Sequence, residues 1–170
     1  MDSAARPTSE AERSTEFDEV VLRETRRLHS LAVSILYDDG EAEDAVQETF
    51  VRGWRAWRKV SSAADCGPWL TRICVNYCIS RRRHRRTRAR FWQTGSESAG
   101  ATEGGISPSR IDIDTAYRRL PVRQRAALTL TFRYGYSAAE CAEIMSCRPG
   151  TVRSHLARAL ASLRKEIDDE

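Results

Sequence analysis

Five polar or basic side chains lie within eight residues near the end of the sequence, in a segment whose pattern predicts a helix–turn–helix. Ser137 and Glu140 have capping-box spacing before a short helix, and Pro149 opens a longer second helix. The N-terminal half of such a second helix meets base edges in the major groove, where arginine binds guanine and serine or threonine binds bases or phosphates. A plain helix pair with a basic, solvated face is the alternative. The five residues are Thr151, Arg153, Ser154, His155 and Arg158.

A second set of basic side chains follows an aromatic residue and an amide. Seven of the ten residues 81–90 are arginine, and Trp69 and Asn76 precede them on the same predicted helix. Aromatic and amide groups beside arginines suit stacking on unpaired bases. A solvated helix end is the alternative. The segment therefore predicts binding to single-stranded or melted DNA.

The five cysteines predict packed thiols rather than a metal site. Cys74 and Cys78 lie one helical turn apart among apolar neighbours, whereas zinc ligands usually come from turns. The sequence contains no glycine-rich phosphate loop, no nucleophile elbow and no pair of metal-spaced histidines. We therefore expect no enzyme activity, no catalytic residue, no metal and no cofactor.

The elements that must position these residues are predicted to be helices throughout.

The 170 residues carry a formal net charge of +4, but residues 61–90 alone contain eight basic side chains and one acidic side chain. Two basic blocks separated by an acidic one favour two DNA-facing modules and a spacer. No stretch is long and apolar enough for a transmembrane helix, and no secretory signal precedes the first helix. A cytoplasmic protein without membrane insertion is expected.

The predicted fold class is all-α, with two small helical domains joined by a flexible linker. Residues 1–15 are predicted to be a disordered tail, 16–90 a first domain, 91–112 the linker and 113–170 the helix–turn–helix domain. Gly40 is expected to end the first helix. Apolar side chains at helical spacing include Trp54 on one face of the second helix and Phe132 in the helix that ends near Gly135. Ala139 is expected on the buried side of its short helix, and Leu160 on the apolar face of the last helix.

Three segments together resemble the extracytoplasmic-function family of bacterial sigma factors. The segment DDGEAEDAVQETFVRGWRAW (38–57) resembles the region that grips the RNA polymerase clamp. The segment PWLTRICVNYCISRRRH (68–84) resembles the promoter-melting segment. Residues 120–164 resemble the C-terminal helix–turn–helix. The resemblance covers roughly residues 16–166 and implies a two-domain initiation factor whose partners are core RNA polymerase, promoter DNA and an anti-sigma factor.

The resemblance also implies three sets of binding residues. The polymerase-binding set is Asp44, Gln47, Glu48 and Val51. The set for the −10 element is Ser62, Asp65, Trp69, Arg72, Asn76, Ser80, Arg82 and Arg83, with the loop 61–67 receiving a flipped base. The set for the −35 element adds Arg148 to the five residues of the second helix. Ser80 stands where many relatives have Asp.

Two other functions compete with this interpretation. A stand-alone helix–turn–helix regulator would bind duplex DNA tightly without polymerase, at two-fold half-sites. A redox-sensing regulator would use Cys66, Cys74 and Cys78, and its activity would depend on their thiol state.

Overall fold

The computed structural model describes residues 9–57, 66–92 and 108–168. These residues form seven α-helices and one π-helical turn, here π1, and contain no strand, which confirms the predicted all-α class. In chain order the elements are α1 Glu10–Leu36, α2 Asp39–Ala56, α3 Cys66–Trp92, α4 Pro108–Arg119, α5 Val122–Leu128, π1 Thr129–Arg133, α6 Ala138–Ile144 and α7 Pro149–Asp168.

The N-terminal half, α1 to α3, is a bundle closed around apolar side chains at helical spacing. Leu28 and Leu31 of α1 are fully buried, and the Phe17 ring packs on Trp57 with centroids 5.0 Å apart. Gly53 lets α2 approach α3 closely, because a Cβ atom there would lie 3.2 Å from Leu70 Cδ2.

Capping residues explain where the first two helices begin and end. The Ser9 hydroxyl accepts from the Glu12 backbone N–H and the Glu12 carboxylate accepts from the Ser9 N–H, so α1 begins at Glu10. Residues 10–15 are therefore helical, contrary to the predicted disordered tail. α1 ends at Leu36 because Tyr37 is left-handed, with φ 60°. Gly40 instead lies in the first turn of α2, which the Asp38 carboxylate caps.

The C-terminal half, α4 to α7, contains the predicted helix–turn–helix. The Ser137–Glu140 capping box opens α6, as predicted. A tight turn follows, in which Ser146 has φ 52°, and Pro149 is the first residue of α7. Val152 and Ala159 are fully buried and anchor α7 on the rest of this half.

Four apolar side chains of the predicted helices are exposed, and three of them, Trp54, Ala139 and Leu160, were expected on an apolar or buried face. Trp54 touches Phe17 with one face, and its exposed fraction is 41%. Phe132 is 67% exposed because it lies in π1, where the Tyr134 N–H bonds to the Thr129 carbonyl and the wider turn changes the direction of the side chains. Helical periodicity identifies an apolar stripe on each helix, but it does not tell how much of that stripe is buried by the neighbouring helices. The two remaining exposed residues are Ala139 and Leu160.

The two halves pack against each other, a contact that the sequence pattern did not predict. One apolar cluster includes Leu31 and Val75 of the N-terminal half together with Leu130 and Ile144 of the C-terminal half. Most of the predicted linker, residues 93–107, lies outside the described residues; residues 91–92 end α3 and residues 108–112 belong to α4.

Candidate nucleic-acid and partner interfaces

The polymerase-binding set occupies one face of α2. Asp44, Gln47 and Val51 are exposed and Glu48 is half-buried, at spacings of three and four residues that place them on one stripe. Ala45, Val46 and Thr49 are buried on other sides of the helix. The stripe therefore combines two carboxylates, an amide and one apolar side chain that a partner can contact without disturbing the core.

Two arginines and a tyrosine connect this α2 face to α3. Arg81 Nη2 donates to Asp44 Oδ2 at 2.8 Å and Arg81 Nη1 to the Tyr77 hydroxyl at 2.8 Å. Arg52 Nε donates to Glu48 Oε1 at 2.7 Å, and its guanidinium lies 5.2 Å from the Tyr77 ring centre. The hydrogen bond to Tyr77 is the main cause of the raised pKa of Arg81. Sequence reasoning missed this network; only the four-residue spacing of Glu48 and Arg52 signals part of it.

Four of the residues predicted for the −10 element share one stripe of α3. Arg72 and Ser80 are exposed, while Trp69 is half-buried with its ring centroid 6.5 Å from that of Trp57. The fourth, Asn76, donates from Nδ2 to the Arg72 carbonyl at 2.8 Å and to the Ile144 carbonyl of α6 at 2.7 Å. The other four predicted residues are not part of this geometry: Ser62 and Asp65, with most of the loop 61–67, and the side chains of Arg82 and Arg83 lie outside the described part.

The −35 set lies at the start of α7 and just before it. Five of its six residues are exposed, and Thr151, Ser154 and Arg158 follow one stripe at spacings of three and four. His155 is half-buried, and burial lowers its pKa, with the nearby charges of Arg123 and Arg158 acting in the same direction. The side chains of this stripe are either neutral or cationic, which suits contact with the phosphates of DNA. The exposed five are Arg148, Thr151, Arg153, Ser154 and Arg158.

The cysteines are packed thiols, as predicted. Cys66, Cys74, Cys78 and Cys141 are buried and Cys147 is half-buried. Burial raises the pKa of Cys66, and the hydrogen bond to Cys74 together with burial raises that of Cys78, whereas the same hydrogen bond lowers the pKa of Cys74. Buried cysteines of this kind are shielded from oxidants in solution. This environment does not favour the redox-sensing hypothesis.

Among the described residues, one group could offer three ligand atoms to a metal ion. His29, Asp39 and Glu43 bring these atoms within 4.8 Å of one another. The His29 Nε2 to Asp39 Oδ1 distance is 3.3 Å, and Asp39 lies in the first turn of α2, where a carboxylate stabilises the helix dipole. Helix stabilisation thus accounts for Asp39, which is exposed like Glu43, while His29 is half-buried.

Two family models match the two halves of the chain. The model described as Sigma-70 region 2 matches residues 20–88, and the model described as Sigma-70, region 4 matches residues 110–163. The ECF RNA polymerase sigma factor SigM of Mycobacterium tuberculosis H37Rv is 33% identical over 157 residues, covering 88% of this chain and 76% of SigM. The chain belongs to the extracytoplasmic-function (ECF) sigma factors.

Further relatives and solved structures agree with this assignment. The RNA polymerase sigma-H factor of Pseudomonas aeruginosa is 30% identical to this sigma factor, with 89% of this chain and 86% of that protein covered. The sigma factor RpoE, solved with the anti-sigma factor NepR from Bartonella quintana, is similar with 25% identity, a TM-score of 0.69, and 89% and 96% of the two chains covered. CnrH, solved with the cytosolic domain of CnrY, shares the fold, with 24% identity, a TM-score of 0.60, and 91% and 88% covered.

The sigma factor is thus a transcription initiation factor that binds core RNA polymerase and recognises −10 and −35 promoter elements. A stand-alone helix–turn–helix regulator is not favoured, because the region 2 match covers the N-terminal half as well. Within the described ranges, no helix is long and apolar enough to cross a membrane.

Proposed function

We propose that this sigma factor binds polymerase through the exposed α2 stripe formed by Asp44, Gln47, Glu48 and Val51. Carboxylates and an amide around one apolar side chain give a partner both hydrogen-bond acceptors and a small contact area. The face opposite this stripe is in the core, so binding requires no unfolding. The protein itself has no catalytic role, and it acts in the cytoplasm, where polymerase and chromosome meet.

The second part of the proposal assigns strand capture to α3. Asn76 reads an unpaired base of the −10 element, Trp69 gives a stacking surface, and Arg72 with the arginines of 81–90 binds phosphates. Stacking contributes about 1–3 kcal/mol per base, whereas arginine contacts are independent of sequence. The loop 61–67, with Ser62 and Asp65, completes this site, and Ser80 borders it.

The third part assigns duplex reading at the −35 element to α7. The observation that carries the proposal is that α7 has a buried apolar side and an exposed polar side. Val152 and Ala159 are fully buried, while Thr151, Ser154 and Arg158 face solvent along one stripe. A helix docked by its apolar side can place the opposite side in a major groove.

Replacing Arg153 tests the duplex contact. If Arg153 reads a base, Arg153→Ala costs about 1–3 kcal/mol at one promoter position. If it binds phosphate, the loss is uniform across promoters and the salt slope falls by about one unit. Transcription by the holoenzyme from a promoter library measures both. Arg164→Ala, an exposed arginine in the second half of α7, is the matched control. Equal activity of the Arg153 and Arg164 variants on every promoter would remove Arg153 from the site.

We also propose that an anti-sigma factor inhibits this sigma factor by inserting an apolar segment between its halves. An apolar groove of about 910 Å³ runs between α1 and the C-terminal half, and Tyr37, Tyr117 and Phe132 are among its lining residues. Arg133 also lines it, and the Arg118 guanidinium lies 4.4 Å from the Tyr37 ring centre, so acidic flanks would suit an occupant. Exposed apolar surface of this kind marks interaction sites.

The test uses inhibition rather than capture alone. A protein that co-purifies with the sigma factor from its own cells and inhibits wild-type holoenzyme in transcription should not inhibit the Phe132→Asp holoenzyme. Equal inhibition of both would place the anti-sigma factor elsewhere.

A further inference from the structure

A pocket of about 210 Å³ lies between the first turn of α1 and the end of α2. Glu10 and Arg13 line it from α1, and Trp54, Arg55 and Trp57 line it from the other side. None of the five belongs to the polymerase, −10 or −35 set. The pocket is smaller than the roughly 300–1,000 Å³ of sites for drug-sized ligands, so it suits a single aromatic ring system.

Two tryptophans give this pocket aromatic walls. Trp54 packs on the Phe17 ring with centroids 5.4 Å apart, and yet 41% of the residue is exposed. Trp57 is buried, and its ring packs on Phe17 at 5.0 Å and on Trp69 at 6.5 Å. Because these contacts hold both indoles in place before a ligand arrives, stacking on them costs little side-chain entropy.

Two arginines make the pocket attractive to an anion. Among the described residues, neither Arg13 nor Arg55 is paired with a carboxylate, and Arg13 Nε donates to the Ser9 carbonyl at a long 3.4 Å. Glu10 is the one carboxylate among the described lining residues, so the two guanidinium groups leave a net positive charge. Guanidinium groups of this kind bind phosphate oxygens through paired N–H donors.

The position of the pocket indicates which anion reaches it. Trp57 lines the pocket, and its ring also packs on Trp69, which we assign to stacking on a melted base of the −10 element. A single strand that passes over Trp69 therefore runs within reach of the pocket. An indole beside arginines is a surface on which a base can stack while its phosphates are bound.

We propose that this pocket is a second base-binding site, which takes one further unpaired nucleotide of the non-template strand beside the −10 element. The base stacks on Trp54, and Arg13 and Arg55 bind the adjoining phosphates. The inference rests on the proposed capture of the melted strand by α3. It adds that α1 and the end of α2 also hold this strand.

The chemistry of the pocket predicts binding without a base preference. Stacking on an indole tolerates every base, and arginines that bind phosphates carry no sequence information. Removing the base should therefore weaken binding, whereas exchanging it for another base should not. The Asn76 site should differ, because an amide distinguishes bases by their hydrogen-bonding edges.

The experiment combines an abasic scan with substitutions in the pocket. Fluorescein-labelled non-template strands carry one abasic nucleotide at successive positions within and beside the −10 element of a promoter that the holoenzyme uses. Holoenzymes containing Trp54→Ala or Arg13→Ala are titrated against these strands. Core polymerase is saturated with each variant, because Trp54 lies one turn from Val51 of the polymerase-binding stripe. Leu22→Ala and Arg26→Ala are the matched controls, since both residues are exposed on α1 and lie outside the pocket.

We expect one position beside the −10 element at which an abasic nucleotide weakens binding to wild-type holoenzyme about 5- to 150-fold. The same lesion should not weaken binding to the Trp54→Ala holoenzyme further, because the stacking is already lost. If every abasic cost is the same in Trp54→Ala as in wild type, or if Leu22→Ala removes the same cost, the pocket holds no base. A strong base preference at that position would also overturn the proposed stacking.

Arg13→Ala tests the pocket without changing an indole. It should weaken binding of the intact strand and reduce the salt slope by about 0.7, the value for one phosphate contact with a single strand. Wild-type affinity and slope, or an equal change in Arg26→Ala, would overturn the phosphate contact.

The Asn76→Ala holoenzyme keeps this inference distinct from the proposed function. If it reads the −10 element as well as wild-type holoenzyme does, the assignment of strand reading to Asn76 is wrong. The comparison of Trp54→Ala with the abasic strand still reports whether the pocket holds a base. An effect of Asn76→Ala without any abasic cost that depends on Trp54 would overturn the second site alone.

Discussion

Asp44 has two roles that a double-mutant cycle can separate. It lies in the α2 stripe proposed to bind polymerase, and its carboxylate also pairs with Arg81 of α3 at 2.8 Å. Loss of polymerase binding in Asp44→Ala could therefore come from the contact itself or from a displaced Arg81. Arg81 keeps its hydrogen bond to the Tyr77 hydroxyl in either case, so the guanidinium stays in place when Asp44 is removed.

The magnitudes of the two roles differ. The Asp44 and Arg81 side chains are 51% and 35% exposed, so their pair contributes about 0.2–1 kcal/mol to the free energy of unfolding. A carboxylate accepting a hydrogen bond in a polymerase interface contributes about 1.5–3 kcal/mol, or roughly 10- to 150-fold in Kd. We expect Asp44→Ala to lose that affinity with little change in stability, and Arg81→Ala to change affinity by less than about threefold.

Urea denaturation and titration with core polymerase measure the two quantities for each single variant and the double variant. Gln47→Ala, which removes an exposed neighbour on the same stripe, is the reference for a direct contact. A direct contact by Asp44 is refuted if Arg81→Ala weakens core binding as much as Asp44→Ala and the double variant is no weaker. Asp44 would then act by positioning Arg81.

Two further predictions concern packing and protonation. Gly53→Val should lower the free energy of unfolding by about 1–3 kcal/mol, because a Cβ atom alone approaches Leu70 Cδ2 to 3.2 Å; urea denaturation with wild-type stability would contradict the close approach of α2 to α3. Burial, together with the charges of Arg123 and Arg158, lowers the pKa of His155, so the folded state favours the neutral imidazole. The contribution of His155 to the free energy of unfolding is therefore fully present above about pH 6.5 and is lost as the pH falls and the unfolded state takes up a proton. The melting temperature of the wild type should therefore fall more between about pH 6.5 and 5 than that of His155→Gln, and equal slopes would contradict this.

Local signals predicted the parts of the fold that depend on neighbouring residues. The Ser137 capping box and the start of α7 at Pro149 follow from side chains within a few positions of each helix end. The end of α1 was missed because Tyr37 adopts a left-handed conformation that usually favours glycine. Stripes of three- and four-residue spacing likewise predicted which candidate residues share a face on α2, α3 and α7.

Contacts between distant segments could not be predicted in this way. Asn76 and Ile144 are 68 positions apart, and Arg125 meets Ile35 across 90 positions. Periodicity shows that a helix has an apolar side, but it does not identify the helix that covers it. An arginine is expected at the surface, but Arg125 is buried because its guanidinium donates to the Ile35 carbonyl near the end of α1 and to the Arg118 carbonyl near the end of α4.

The π-helical turn has a consequence for how this protein can change by insertion and deletion. A π turn is an α-helix with one residue added, so removing one residue from 129–133 would restore α-helical hydrogen bonding and rotate the later part of the chain by about 100°. Arg133 donates to the Ser30 and Ser34 hydroxyls of α1, and the Tyr134 hydroxyl donates to the Arg27 carbonyl. Such a deletion would move Arg133 and Tyr134 away from α1 and turn Phe132 to a different side, so it would alter both these hydrogen bonds between the halves and the apolar groove. The hydrogen bonds between the halves and the groove therefore both depend on one extra residue, and the deletion of a single codon in 129–133 would change them in one genetic step.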